Sequence, residues 1–163
     1  MSLSGVVKRI EVNSTGLDCC VELDFGDYVG CINCYVLLAK CYEPYILPNE
    51  VNIYVEDDEF VAIKVGDERE FNLSVVFAND YSKESADRQE IFEQPIIGSS
   101  TTKFVATVKK IMDKNMVICS IGKLGDIIVN FEREIGYLKE DDRIEFGGEI
   151  KAELSRKAVC FSS

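Results

Sequence analysis

Short runs in which apolar and polar residues alternate recur along the chain, and glycine-aspartate pairs punctuate them. Cys20-Val21-Glu22-Leu23-Asp24-Phe25 alternates up to Gly26-Asp27, a run from Phe71 to Phe77 follows Gly66-Asp67, and Gly125-Asp126 opens another apolar stretch. Period two is the repeat of a strand with one buried face, and Gly-Asp is turn chemistry. No run reaches the roughly 18 apolar residues of a membrane-crossing helix. A mainly β fold follows. The 163 residues are enough for one medium domain or two small ones.

Val6 to Val12 and Cys20 to Phe25 read as a hairpin. Tyr28 to Leu38 is a longer, almost continuous apolar run, the pattern of a central strand covered on both faces, and Pro44 and Pro48 end whatever follows it. Val51 to Val55 and Phe60 to Val65 flank the turn Glu56-Asp57-Asp58-Glu59. Ser82 to Glu93 reads as a short helix or an exposed connector, with Asn79 or Asp80 as its cap and Pro95 as its stop. Gly98-Ser99-Ser100-Thr101-Thr102 has linker composition. Strands resume at Lys103 to Met112, Met116 to Ile121, Asp126 to Phe131, Arg143 to Phe146 and Ala158 to Phe161, with a short helix expected over Glu132 to Glu140, bent at Gly136. The expected organisation is an acidic N-terminal β-barrel (1–78), a connector (79–101) and a second barrel (102–163).

The halves echo one another. Val7-Lys8-Arg9-Ile10 recurs as Val108-Lys109-Lys110-Ile111, Cys20 before Gly26-Asp27 recurs as Cys119 before Gly125-Asp126, and Glu50-Val51-Asn52-Ile53-Tyr54 parallels Asp142-Arg143-Ile144-Glu145-Phe146. A repeat of this length means two copies of one β unit rather than a solenoid. The order of three strands, a connection and two strands resembles the OB-fold, a five-stranded Greek-key barrel. Gly5-Val6-Val7-Lys8-Arg9-Ile10, Glu50 to Val55 and Phe60-Val61-Ala62-Ile63 are also similar to the TOBE branch of OB-like barrels, found in oxyanion-binding and transporter regulatory proteins. The fold expected from this resemblance is two tandem small OB-like β-barrels with one or two short helices. It implies ligand binding in a barrel or at a barrel interface, and no family binding residue maps onto a position here.

There is no histidine, which removes Ser-His-Asp and Cys-His catalysis, HExxH zinc sites and imidazole bases. There is no tryptophan, so stacking falls to tyrosine and phenylalanine. The net charge is −11, distributed as −10 over residues 1–80, −2 over 81–100 and +1 over 101–163. Only the second half suits a polyanion, because phosphate neutralisation supplies most nucleic-acid affinity.

Seven cysteines, an odd number in a chain whose opening Met1-Ser2-Leu3-Ser4-Gly5 lacks signal-peptide character, argue against a disulfide framework and for reduced, buried thiols in a cytoplasmic protein. The alternative is a zinc site drawn from Cys19, Cys31, Cys34 and Cys41, with zinc as the sole cofactor considered. Against it, Cys31 and Cys34 lie three apart in a strand-like run and point to opposite faces. The acidic stretch Glu56 to Glu59 lacks EF-hand spacing, and Gly122-Lys123-Leu124-Gly125 lacks the P-loop pattern and reads as a hairpin turn.

The preferred function is a non-catalytic interaction or ligand-binding module, with a protein or small ligand as partner, no membrane, and self-association through an apolar strand edge. A second reading is single-stranded nucleic-acid binding through residues 103–146, using Phe104, Lys109, Lys110, Lys123, Phe131, Arg133 and Tyr137, since OB barrels combine stacking rings with cations. A third is an enzyme that works through paired carboxylates or a thiolate.

Overall fold

A computed structural model describes residues 2–38, 50–55 and 59–155. These residues are mainly β. No helix among them is long and apolar enough to cross a membrane. Two compact units emerge, Met1–Leu73 with Ala152–Ser163, and Ser74–Lys151. The composition places breaks at 78 and 101 instead.

In the first unit, β1 (Ser2–Val12), β2 (Asp18–Asp24) and β3 (Cys31–Leu37) form an antiparallel meander. Its inward positions Val7, Val21, Leu23, Ile32, Cys34 and Val36 are buried. β3 therefore departs from the expected two-sided burial: Asn33 and Tyr35 face outward and are half-buried. The strand is also shorter than the apolar run, because Gly26 to Gly30 are spent on the turn. β4 (Glu50–Val55) and β5 (Glu59–Lys64) pair antiparallel, burying Val51, Ile53 and Ile63. Pro44, Pro48 and the tip Glu56-Asp57-Asp58 lie outside the described residues. β6 (Glu68–Ala78) runs antiparallel to β1, from Val6 opposite Glu68 to Ser2 opposite Asn72.

The second unit contains β7 (Ser82–Glu84), β8 (Ile91–Glu93), β9 (Thr101–Ile111), β10 (Met116–Ser120), β11 (Asp126–Phe131) and most of β12 (Arg143–Leu154). β9, β10 and β11 form a second antiparallel meander. The far half of β6, from Ser74, runs parallel to β11, and β12 runs antiparallel to β9. β12 also pairs with β6, so the order β6-β11-β10-β9-β12 returns to its starting strand. Gly148 permits that last contact, since a Cβ there would lie 2.9 Å from Val75 Cγ1 and 3.1 Å from the Val76 carbonyl oxygen. The core is aromatic: Phe146 stacks on Phe104 at 5.0 Å and tilts against Phe131 at 5.2 Å. From Ala152, β12 belongs to the first unit, where β3 is its neighbour and the Ser155 N–H donates to the Glu70 carbonyl at 2.9 Å.

The two meanders repeat one hydrogen-bond pattern. A β-bulge leaves Lys8 unpaired between Val7–Leu23 and Arg9–Glu22, and another leaves Lys109 unpaired between Val108–Cys119 and Lys110–Ile118. The Val7 N–H donates to the Asp67 carbonyl at 2.8 Å and the Val7 carbonyl accepts from Gly66 at 2.8 Å; Val108 does the same with Asp142 at 2.9 Å and Asp141 at 2.8 Å. Each aspartate carboxylate also accepts from the N–H three residues earlier, Asp67 from Lys64 at 3.0 Å and Asp142 from Lys139 at 2.9 Å. The Val-Lys-(Arg/Lys)-Ile echo is thus one bulge used twice. The other two echoes fall out of register. Cys119 corresponds to Leu23 rather than Cys20, and the start of β12 corresponds to the start of β6 rather than to β4.

Several sequence expectations are corrected. Ser82 to Glu93 is not a helix: β7 and β8 flank a turn, because Ala86, Ile91 and Phe92 do not make a stripe that a helix could bury. Glu132 to Glu140 is irregular as well, held by the Ile135 N–H to the Lys114 carbonyl at 2.8 Å, with Gly136 at φ +58°. The helical content among the described residues is one 3-10 turn, Gly122–Leu124, in the β10–β11 connection, where a hairpin turn is expected. The linker-like Gly98 to Thr102 is built in: Ser100 and Thr102 are buried and β9 starts at Thr101. β12 runs well beyond Phe146 to Leu154, and Ala158 to Phe161 lie outside the described residues.

Candidate functional site

The second meander turns Val108, Val117, Cys119, Ile127 and Val129 inward, all buried. Successive strand residues face opposite ways, so the run Ile127-Ile128-Val129 must send its middle isoleucine outward. Register places Lys110 beside Ile118, Ile118 beside Ile128, and Ile128 beside Ser74, in one row across the outer face. Ile128 is 42% exposed and Lys110 is exposed. The adjacent row pairs Met116 with Asn130. Lys109, unpaired at the bulge, adds a second exposed ammonium. Over residues 101–131 the charges are Lys103, Lys109, Lys110, Lys114 and Lys123 against Asp113 and Asp126, a net +3 in a chain of −11.

The corresponding row of the first unit is Arg9–Glu22–Asn33. There Arg9 is bound at 2.6 Å to Glu11 and at 3.5 Å to Asn33. One fold position therefore carries a polar row in one unit, and in the other a half-buried Ile118 and an exposed Ile128 beside a lysine.

Above that row, Thr107, Ser120 and Asp126 align across the sheet, and Glu90 sits over the first two. Its carboxylate accepts from Thr107 Oγ1 at 2.5 Å, Ser120 Oγ at 2.9 Å and the Gly122 N–H at 3.0 Å. Partial burial pushes this carboxyl upward, but the bonds from Thr107, Gly122 and Ser120, with Arg143 nearby, outweigh it and hold the group below the usual glutamate range. The connection carrying Glu90 is tied down at both ends. β7 pairs with β12 and β8 with β9, while Arg88 reaches Glu84 at 3.4 Å and is hydrogen-bonded to Glu145. These carboxylates serve as fasteners between the connection and the strands.

A cleft of about 230 Å³ lies between the start of the β6–β7 connection and the β11–β12 connection. The Tyr81 hydroxyl in it donates to the Ile135 carbonyl at 2.7 Å, Asn79 Oδ1 accepts from the Gly147 N–H at 2.8 Å, and Arg133 faces Asp80 at 3.4 Å. It is smaller than the usual ligand pocket of about 300 Å³ or more, and its Tyr81 and Asn79 groups are already engaged.

Of the seven candidate nucleic-acid residues, Phe104 and Phe131 are core residues with no ring face open for stacking. Alternation along their strands turns both inward. Lys109 and Lys110 flank the exposed row, Lys123 lies in the 3-10 turn, and Arg133 and Tyr137 belong to the β11–β12 connection, Tyr137 being 88% exposed. The structure thus gathers the two adjacent lysines on the meander and puts Arg133 and Tyr137 on a different segment. Ile118, Ile128 and Met116 were missed by sequence reasoning, although three successive apolar residues in one short strand already require one to face out. Glu90 gave no sequence signal, since its partners come from three separate segments.

The candidate zinc ligands do not assemble. Cys19 and Cys34 are buried and Cys31 is exposed, while Cys41 lies outside the described residues. Among the described residues no group of three or more metal-ligating side chains converges. Burial pushes the Cys19 thiol up to about 12, with Cys20 and Asp18 adding to the rise, and burial pushes Cys119 up to about 12, with Glu90 and Asp126 adding. Cys34 is raised further for the same reason. Such thiols stay protonated and inert. Comparison of the chain with protein-family models, with curated proteins and with solved structures gives no match.

Proposed function

We propose that this chain is a non-catalytic binding module built from two OB-like barrels, and that it binds through the outer face of the β9–β10–β11 meander. The pairing order supports the fold reading. In each unit a three-stranded meander is followed by a fourth strand antiparallel to the first, β6 to β1 and β12 to β9. In the second unit a fifth strand lies parallel to the third, as β6 does to β11. OB barrels bind their ligands on the face of the second and third strands, which here are β10 and β11.

The observation that carries the proposal is the Lys110–Ile118–Ile128 row, an apolar pair on the outer face at the position where the first unit has the polar residues Arg9, Glu22 and Asn33. A non-catalytic role is supported by the three hydrogen bonds that hold Glu90 in a structural position and by the protonated state of the buried thiols. The test is amide-resolved NMR during titration with a panel of short peptides, oligonucleotides and small anions. Shift changes should cluster at Lys110, Met116, Ile118 and Ile128. Changes centred on Tyr81 and Ile135, or turnover of any panel member, would count against it.

A further inference from the structure

From the make-up of this face we infer that its occupant is an acidic peptide segment of a partner protein, one that carries aliphatic side chains among its carboxylates. The inference rests on the reading of the β9–β11 face as the binding surface and adds the class of ligand.

Three observations select it. First, the surface is aliphatic: Ile118, Ile128 and Met116 face outward on β10 and β11, and the two rings that would serve as stacking platforms, Phe104 and Phe131, are buried. Single-stranded nucleic acid gains much of its sequence-tolerant affinity from stacking on aromatic faces; β9, β10 and β11 carry no exposed ring, and the one exposed ring on the neighbouring β6 is Phe77. Second, Lys109 and Lys110 stand beside the row, in a stretch, residues 101–131, that carries five lysines against two aspartates. Among the described residues Lys109 and Lys110 make no ion pair, whereas Arg9, at the position of Lys110 in the first unit, is paired with Glu11. Third, a chain of net charge −11 repels a long polyanion as a whole, while a short segment beside Lys109 and Lys110 engages their charge at close range, where screening by salt is least. Aliphatic contact with Ile118 and Ile128, rimmed by Lys109 and Lys110, fits a peptide in which acidic and branched apolar residues are mixed.

The test uses the full chain and four fluorescent probes read by anisotropy at 50 and 200 mM salt. These are a twelve-residue peptide mixing Glu with Val and Leu, the same peptide with Ser for Val and Leu, the same with Lys for Glu, and a twelve-nucleotide oligo-dT. The first peptide should bind, more weakly at 200 mM salt, and the Ser and Lys versions should bind at least about tenfold more weakly. Lys110→Glu and Ile128→Asp should each weaken the first peptide about tenfold, with the fold checked by thermal melting. The proposal is overturned if the first peptide does not bind, if the two variants bind it as the parent does, or if oligo-dT binds more tightly. Oligo-dT binding that is tighter than that of the first peptide and is lost in Lys110→Glu would overturn the peptide assignment and leave the face as the binding surface. Binding of any probe that neither variant alters would overturn both.

Discussion

The Glu90 carboxylate accepts a hydrogen bond from the Thr107 hydroxyl at 2.5 Å, which fixes an irregular connection to a strand in the middle of a sheet. With Ser120 and the Gly122 N–H as further donors, the same group holds β9, β10 and the 3-10 turn together. Glu90→Gln keeps the shape and removes the charge, and should cost about 1–2 kcal/mol by urea unfolding, the lower part of the range for charged hydrogen bonds because the group is only partly buried. Its folded carboxyl lies below the usual glutamate value, so this stabilisation is complete above that value and is lost as pH falls through the folded one. The parent should therefore lose its advantage over Glu90→Gln between about pH 4.3 and more acid conditions. A difference that stays constant down to strong acid would show that the charge contributes nothing.

Asp67 and Asp142 hold equivalent turns, each accepting from the N–H of a lysine three residues back. Asp67→Ala and Asp142→Ala should cost similar amounts, about 0.5–1.5 kcal/mol each. The Lys139 N–H bond, followed by Lys83 and Lys139 charge, holds the Asp142 carboxyl below the ordinary aspartate range, so its contribution is present at neutral pH and fades as acid protonates it. Unequal costs at pH 7, with one near zero, would break the equivalence of the two turns.

Gly148 and Gly5 both stand in crowded strands, but against different neighbours. A Cβ at Gly148 meets Val75 Cγ1 at 2.9 Å and backbone atoms of Val76 and Ala78, whereas at Gly5 it meets the Phe25 ring at 2.8 Å. A ring end can turn aside and a paired strand cannot. Gly148→Ala should lower stability by about 1–3 kcal/mol and Gly5→Ala by clearly less, measured by chemical denaturation. The reverse order would mean that β12 and β6 yield more easily than the Phe25 side chain.

Thiol labelling should divide the cysteines by fold position. Cys31, exposed on β3, should be the described thiol that reacts first with a maleimide in the native protein, slowed because desolvation, Asp24 and Glu22 raise its pKa. Cys19, Cys34 and Cys119 should react only in denaturant. Rapid native labelling of Cys34 or Cys119, read by peptide mass mapping, would contradict their burial.

Much of the β architecture is legible in the residues. Asp126 to Phe131 forms a strand over its expected bounds, and Val7-Lys8-Arg9-Ile10 and Val108-Lys109-Lys110-Ile111 mark corresponding strands because a bulge at the lysine uses the same residue types twice. Position in the pairing order is not legible. Nothing local in Glu68 to Ala78 tells its first half from its second, yet one pairs with β1 and the other with β11. The Ser82 to Glu93 stretch misleads for a related reason: its polar residues look like a solvated helix face, and their partners Thr107, Ser120 and Glu145 lie 17 to 57 positions downstream. The exposed row is half legible. Composition shows the lysines, while Ile118 and Ile128 become neighbours only once register is known.

β6 passes into the second unit at Ser74, and β12 passes into the first at Ala152. During synthesis on the ribosome, the first unit must wait for residues 152–154 before its set of strands is complete, although Ser2–Leu73 have long since emerged. A gene cut between Leu73 and Ser74 would leave the second unit whole and strip the first of its closing residues, which the other fragment would carry past its own end.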